Sequence, residues 1–137
     1  MNITVEQATQ AIAIGIAKIN DLKEPSCMAI VDEGGNLIAF MRSNSATFGT
    51  AEVAINKAYT AAAFRCSTAD LQASVQPGGE IFGLMGQRQP FVCFGGGLPI
   101  LRNGRLVGAV GVSGGPVAAD EAIALAMADS LHSFQQT

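Results

Sequence analysis

Residues 94–116 read FGGGLPILRNGRLVGAVGVSGGP, and the rest of the chain is arranged around them. Two apolar runs, Leu98–Leu101 and Leu106–Val112, flank Asn103-Gly104. Asn-Gly between apolar runs predicts a tight hairpin, because both residues accept a positive φ. Glycine clusters bound the hairpin: Gly95, Gly96 and Gly97 before it, Gly114 and Gly115 after it. A hairpin brings its two outer ends together, so both clusters fall at the end opposite the turn. Pro116 then suits the first turn of a helix. A helix that starts after a glycine loop offers free N–H groups and the positive end of its dipole. Either this is a tight hairpin feeding a helix, with glycines serving packing alone, or the two clusters line a binding site with Ser113.

Working outward, Thr4 and Gln7 form a capping box. Val5, Ala8, Ile12, Ile16 and Ile19 then recur at steps of three or four, which predicts an amphipathic helix over residues 4–20. Ser26–Asp32 and Asn36–Met41, separated by Glu33-Gly34-Gly35, predict a second hairpin with Asp32 and Glu33 as turn residues. From Gly49 or Thr50 to Arg65 the pattern is helical, and its alanines (51, 54, 58, 61, 62, 63) allow close packing on a sheet. Lys57 sits among them, either snorkelling to solvent or aimed at a bound anion or a carboxylate. A short helix is expected over Thr68–Ser74, a long loop over Val75–Gln89, a strand over Phe91–Phe94 and a last helix over Val117–Phe134. Asp120 and Glu121 lie in that helix's first turn, where negative charge suits the dipole. The order α-β-β-α-(α)-β-β-β-α predicts one α+β domain over residues 1–137, a five-stranded antiparallel sheet carrying helices.

Composition narrows function by exclusion. The 137 residues are 49% apolar and 14% charged, with a net charge of −3. So little charge on a small domain implies that some surface is covered by other subunits. The eight Lys and Arg are scattered, which argues against nucleic acid. Cys27, Cys66 and Cys93 make an odd count with no CxxC, as expected of reduced thiols in a cytoplasmic protein. No segment resembles a signal peptide or a membrane span, so no membrane partner is expected. One histidine, His132, leaves neither a multi-histidine zinc site nor a second candidate for a Ser-His-Asp relay, and no metal site is expected. The glycine clusters match neither the P-loop nor the dinucleotide fingerprint. The chemistry left is a glycine-lined site with Lys57, Ser113, Asp120 and Glu121, suited to a carboxylate, to acid–base work on an enol-forming substrate, or to a planar cofactor.

The blocks MAIVDEGGNLIAFMR, NKAYTAA and FGGGLPILRNGRLVGAVGVSGG, with Asp120-Glu121 beyond, resemble the GlcG/HbpS-like family. That family includes the C-terminal domain of PduO-type cobalamin adenosyltransferases and small proteins encoded beside glycerol and diol dehydratase genes. The resemblance covers residues 4–133. It implies a profilin-like or PAS-like fold, assembly into dimers and often octamers, and in some members binding of haem or a corrinoid. The motif residues it carries over are Asp32, Gly34, Gly35, Lys57, Gly95, Gly96, Gly97, Pro99, Gly108, Gly111, Ser113, Gly114, Gly115 and Asp120. The resemblance implies that haem-binding relatives can use a histidine near the N-terminal helix, whereas residues 1–25 here contain none. Met28, Met41, Met85, a cysteine or Tyr59 stand as substitutes, and the sequence selects none of them. Three functions follow: a module binding haem or another tetrapyrrole, accessory to diol, glycerol or glycolate-type metabolism; a small enzyme acting on a carboxylate-bearing metabolite at the glycine loops; or a ligand-free assembly subunit.

Overall fold

The computed structural model describes residues 2–132. Helix α1 (Val5–Leu22) is followed by strands β1 (Cys27–Asp32) and β2 (Leu37–Arg42), helix α2 (Gly49–Phe64), strands β3 (Gly97–Arg102) and β4 (Arg105–Ser113), and helix α3 (Val117–His132). Between α2 and β3 run three short 3₁₀ turns, Thr68–Leu71, Ala73–Val75 and Phe82–Gly86. The predicted capping box is present: Thr4 accepts from the Gln7 backbone N–H, and the Gln7 side chain accepts from the Thr4 N–H. Phe134, expected to close the last helix, lies outside the described residues.

The sheet has four antiparallel strands in the order β2-β1-β4-β3, not the expected five. The missing strand is Phe91–Phe94, which leaves the sheet edge and lies on α2. The Val92 N–H donates to Thr60 Oγ1 at 2.9 Å. The Phe91 ring meets Phe64 edge-on, with centroids 4.9 Å apart, and stacks on Tyr59. Aromatic burial against α2 and a side-chain acceptor thus replace a strand ladder, while Pro99 leaves β3 one backbone donor short. The Asn103-Gly104 turn is as expected, with φ of 53° and 76°.

Alternation divides the core between the two faces of the sheet. Met28, Ile30, Val110 and Val112 point to one side and pack with Ala8, Ile12 and Ile19 of α1 and Ile123, Met127 and Leu131 of α3. Cys27, Ala29, Val31 and Ala109 point to the other, against Ala54, Ala58, Ala61 and Ala62 of α2. The result is three layers, with α1 and α3 on one face and α2 on the other. The alanines let α2 lie almost on the strands, and at Gly111 of β4 an added Cβ would strike the Ala54 carbonyl oxygen and come within 2.5 Å of the Ala58 nitrogen. Arg102 ties the ends of the domain together: its guanidinium donates to the Leu131 carbonyl (3.0 and 3.2 Å) and to Gln7 Oε1 (3.1 Å).

Candidate functional site

The structure gathers most of the expected site residues at one end of the β3–β4 hairpin. Lys57 does not snorkel to solvent: its exposure is 0% and that of Asp120 is 2%. The helical face that presents Ala54 and Ala58 to the sheet carries Lys57 past the end of β4. There Nζ donates to the Val112 carbonyl at 2.8 Å and meets Asp120 Oδ2 at 3.2 Å. The Phe94 ring closes over the ammonium, 4.8 Å from its centroid. The Gly115 N–H donates to Asp120 Oδ1 at 3.2 Å, which ties the second glycine loop to the first turn of α3.

The first glycine loop wraps the lysine. Gly96 has φ +127°, and an added Cβ would lie 2.6 Å from Lys57 Nζ. Its carbonyl accepts from the Val112 N–H, and the Gly97 N–H donates to Thr68 Oγ1, each at 2.9 Å. The Glu121 carboxylate lies against Gly95. Ser113, almost buried, ends β4 opposite Cys27, and Gly114 packs on Pro25 and Ser26. The space that Gly96 opens is filled by the Lys57 side chain, and that at Gly95 by the Glu121 carboxylate.

Burial shifts both members of this pair toward neutrality. Desolvation holds the Lys57 ammonium below its usual 10.5, against the opposing fields of Asp120 and Glu121. Desolvation also raises the Asp120 carboxyl above 3.8, against Lys57 and the Gly115 N–H. A raised acid contributes stability that is complete below 3.8 and is lost as pH rises through the folded value. A depressed lysine contributes stability that is complete above 10.5 and is lost as pH falls through its folded value. The pair's part of the unfolding free energy therefore falls on leaving pH 3.8 upward, is flat while both groups are charged, and recovers toward 10.5. Urea midpoints across that range, with ¹³C titration of the Asp120 carboxyl, check this. An Asp120 that titrates at or below 3.8 contradicts it.

A second site has no counterpart in the sequence reading. A groove of about 440 Å³ lies between the C-terminal half of α1 and the end of β2. Ile16, Ile19, Pro25 and Met41 give it apolar walls, Lys23 and Arg42 bring two cations to it, and Glu24 brings one carboxylate. Arg42 also donates to the Ala46 carbonyl at 3.4 Å. Met41 is 39% exposed. Lys23 takes a left-handed conformation (φ 57°) that ends α1 and turns the chain along the groove. Of the sulfur and phenol groups that could hold an iron, Met28 and Cys27 are fully buried in the core, and the Tyr59 hydroxyl is hydrogen-bonded to Gln89. Met85 lies on the long loop before β3. His132 contacts the Leu101 carbonyl at the end of α3. Only the alternation of β2 hinted at the groove, by leaving Met41 on a sheet face that α1 covers incompletely. Among the described residues there is no cluster of three or more His, Cys, Asp or Glu fit for a metal ion, and no helix is long and apolar enough to cross a membrane.

Fold and site together define a small three-layer α+β domain with a lysine–carboxylate pair sealed under its glycine loops and, between α1 and the end of β2, a groove with apolar walls and Lys23, Glu24 and Arg42 at its edge. The chain belongs to the HbpS-like family, whose model, described as haem degrading protein HbpS-like, matches residues 3–129. A Citrobacter freundii protein of 15.0 kDa from the dhaT-dhaS intergenic region is 39% identical over 123 residues, 89% of this chain and 87% of that protein. The corrinoid adenosyltransferase PduO of the same organism is 34% identical over 125 residues, 90% of this chain but 37% of PduO. The crystal structure of the PduOC–haem complex superposes with a TM-score of 0.91 at 31% identity, covering 95% of each chain.

Proposed function

We propose that this chain binds haem or a closely related tetrapyrrole, in the groove between α1 and the end of β2. The observation that carries the reading is the match, over 95% of both chains, to a domain solved with haem. The groove supplies what such a ligand needs. Ile16, Ile19 and Pro25 offer apolar surface to the macrocycle, Lys23 and Arg42 offer cations to its propionates, and the Met41 thioether is a recognised type of axial ligand. Haem would bring iron redox and ligand chemistry, while the chain's own residues hold and orient it. Cytoplasmic location and a supporting role in diol or glycerol metabolism belong to the same proposal.

Haemin titration of the purified protein is expected to give a saturable Soret shift. Met41→Ala is expected to change the spin state and position of the band. Lys23→Ala with Arg42→Ala is expected to weaken binding by about tenfold, the loss of roughly one well-made charged contact. A flat titration, or variants identical to wild type, would sink the reading.

A second reading places a small carboxylate at Lys57, Gly95, Gly96, Gly97, Ser113, Gly114, Gly115, Asp120 and Glu121. It is favoured by a lysine and an acid shifted toward neutrality beside a helix N-terminus. The ligand would have to displace Asp120 or the Val112 carbonyl from Nζ. Amide shifts of Gly95–Gly97 on titration with small carboxylic acids test this, and their constancy would remove it.

A further inference from the structure

The loop between α2 and β3 presents more apolar surface than a free surface loop can be expected to leave wet. Ile81, Phe82 and Met85 are 39%, 52% and 47% exposed, and none belongs to either core cluster. Beside them opens a cavity of about 740 Å³ with apolar walls from Phe64, Ile81, Leu84 and Phe91. Glu80 and Arg88 stand at the same cavity, and neither forms an ion pair or hydrogen bond among the described residues. One surface thus carries an apolar knob, an apolar hole and two unpaired charges of opposite sign.

From this juxtaposition we infer that the residue 80–91 surface is a two-fold contact with a second copy of this chain, Phe82 of each copy seated in the Phe64–Phe91 cavity of the other and Glu80 facing Arg88 across the axis. A two-fold contact must be self-complementary, and this surface holds both halves of each complementary pair. A different protein would have to supply its own knob, hole and reversed charges. An apolar centre with a charged rim is also the usual anatomy of a specific interface. The inference deepens the expectation of self-association drawn from the low charge of the chain, and names its surface.

The test is a charge-swap series followed by light scattering behind size exclusion and by sedimentation equilibrium, with circular dichroism as the folding check. Wild type is expected at a multiple of 14.1 kDa. Glu80→Arg and Arg88→Glu, each alone, place like charges across the axis and are expected to weaken association by about tenfold or more. The Glu80→Arg/Arg88→Glu double variant restores opposite charges across the axis and is expected to recover it, and Phe82→Asp is expected to abolish it. A monomeric wild type overturns self-association and the surface together. An oligomer indifferent to all four variants, or singles that the double fails to rescue, overturns the surface alone.

Discussion

Lys57→Met is expected to cost about 3–5 kcal/mol of folding stability, the usual consequence of stranding the partner of a buried ion pair. The ammonium meets Asp120 at 3.2 Å and the Val112 carbonyl at 2.8 Å, in a space closed by Phe94 and Gly96. Methionine fills nearly the same volume, so the loss reads the charge and its hydrogen bonds rather than a cavity. Asp120 is then left buried with the Gly115 N–H but without its counter-ion. Its carboxyl is expected to titrate still higher than in wild type. Asp120→Asn, which keeps the shape and leaves the lysine charged, is expected to cost a similar amount. A Lys57→Met/Asp120→Leu double variant removes both charges and is expected to recover part of the loss, because paired removal spares the desolvation of either ion. Urea denaturation of the four proteins at neutral pH measures all of this. Single variants within about 1 kcal/mol of wild type would show that the pair is solvated and that the close wrapping by the glycine loop is wrong.

Gly111→Val is expected to destabilise by about 3 kcal/mol or more, at the upper end of overpacking losses. The atoms that meet a new Cβ here are backbone, the Ala54 carbonyl oxygen and the Ala58 nitrogen. Neither yields by a side-chain rotation, so α2 as a whole must rise off the sheet. That movement loosens the Ala54–Ala58–Ala61 contact and drags Lys57 from its partners on the same helix. Gly111→Ala is expected to show a smaller loss in the same direction. Thermal melts are expected to fall by about 10 °C for the valine variant. An unchanged melting temperature would mean that α2 does not rest on β4 as closely as described.

The hairpin and the helices were legible because their signals are local. Asn103-Gly104 needs no tertiary partner to turn, and the capping box of Thr4 and Gln7 is complete within one helical turn. Phe91–Phe94 reads as a strand in sequence because its apolar pattern is as consistent with pairing to β3 as with lying on α2. Thr60 and Phe64, which decide between the two, stand some thirty residues upstream. The meeting of Lys57 with Asp120 could be anticipated only as a residue set, since the two stand 63 positions apart and the sequence carries no sign of burial. Met41 stands among the possible ligands in the sequence, but the groove around it is not legible there, for a related reason. Ile16, Ile19, Lys23, Met41 and Arg42 lie on two elements that adjoin only after the sheet has formed, and no spacing in the chain links them.

The most direct test of haem binding at the α1–β2 groove is a crystal structure of the protein soaked or grown with haemin, phased at the iron absorption edge. An anomalous iron peak is expected within bonding distance of the Met41 sulfur, with the propionates toward Lys23 and Arg42. A peak beside the Gly95–Gly97 loop, or iron bound through another residue away from the groove, would contradict it.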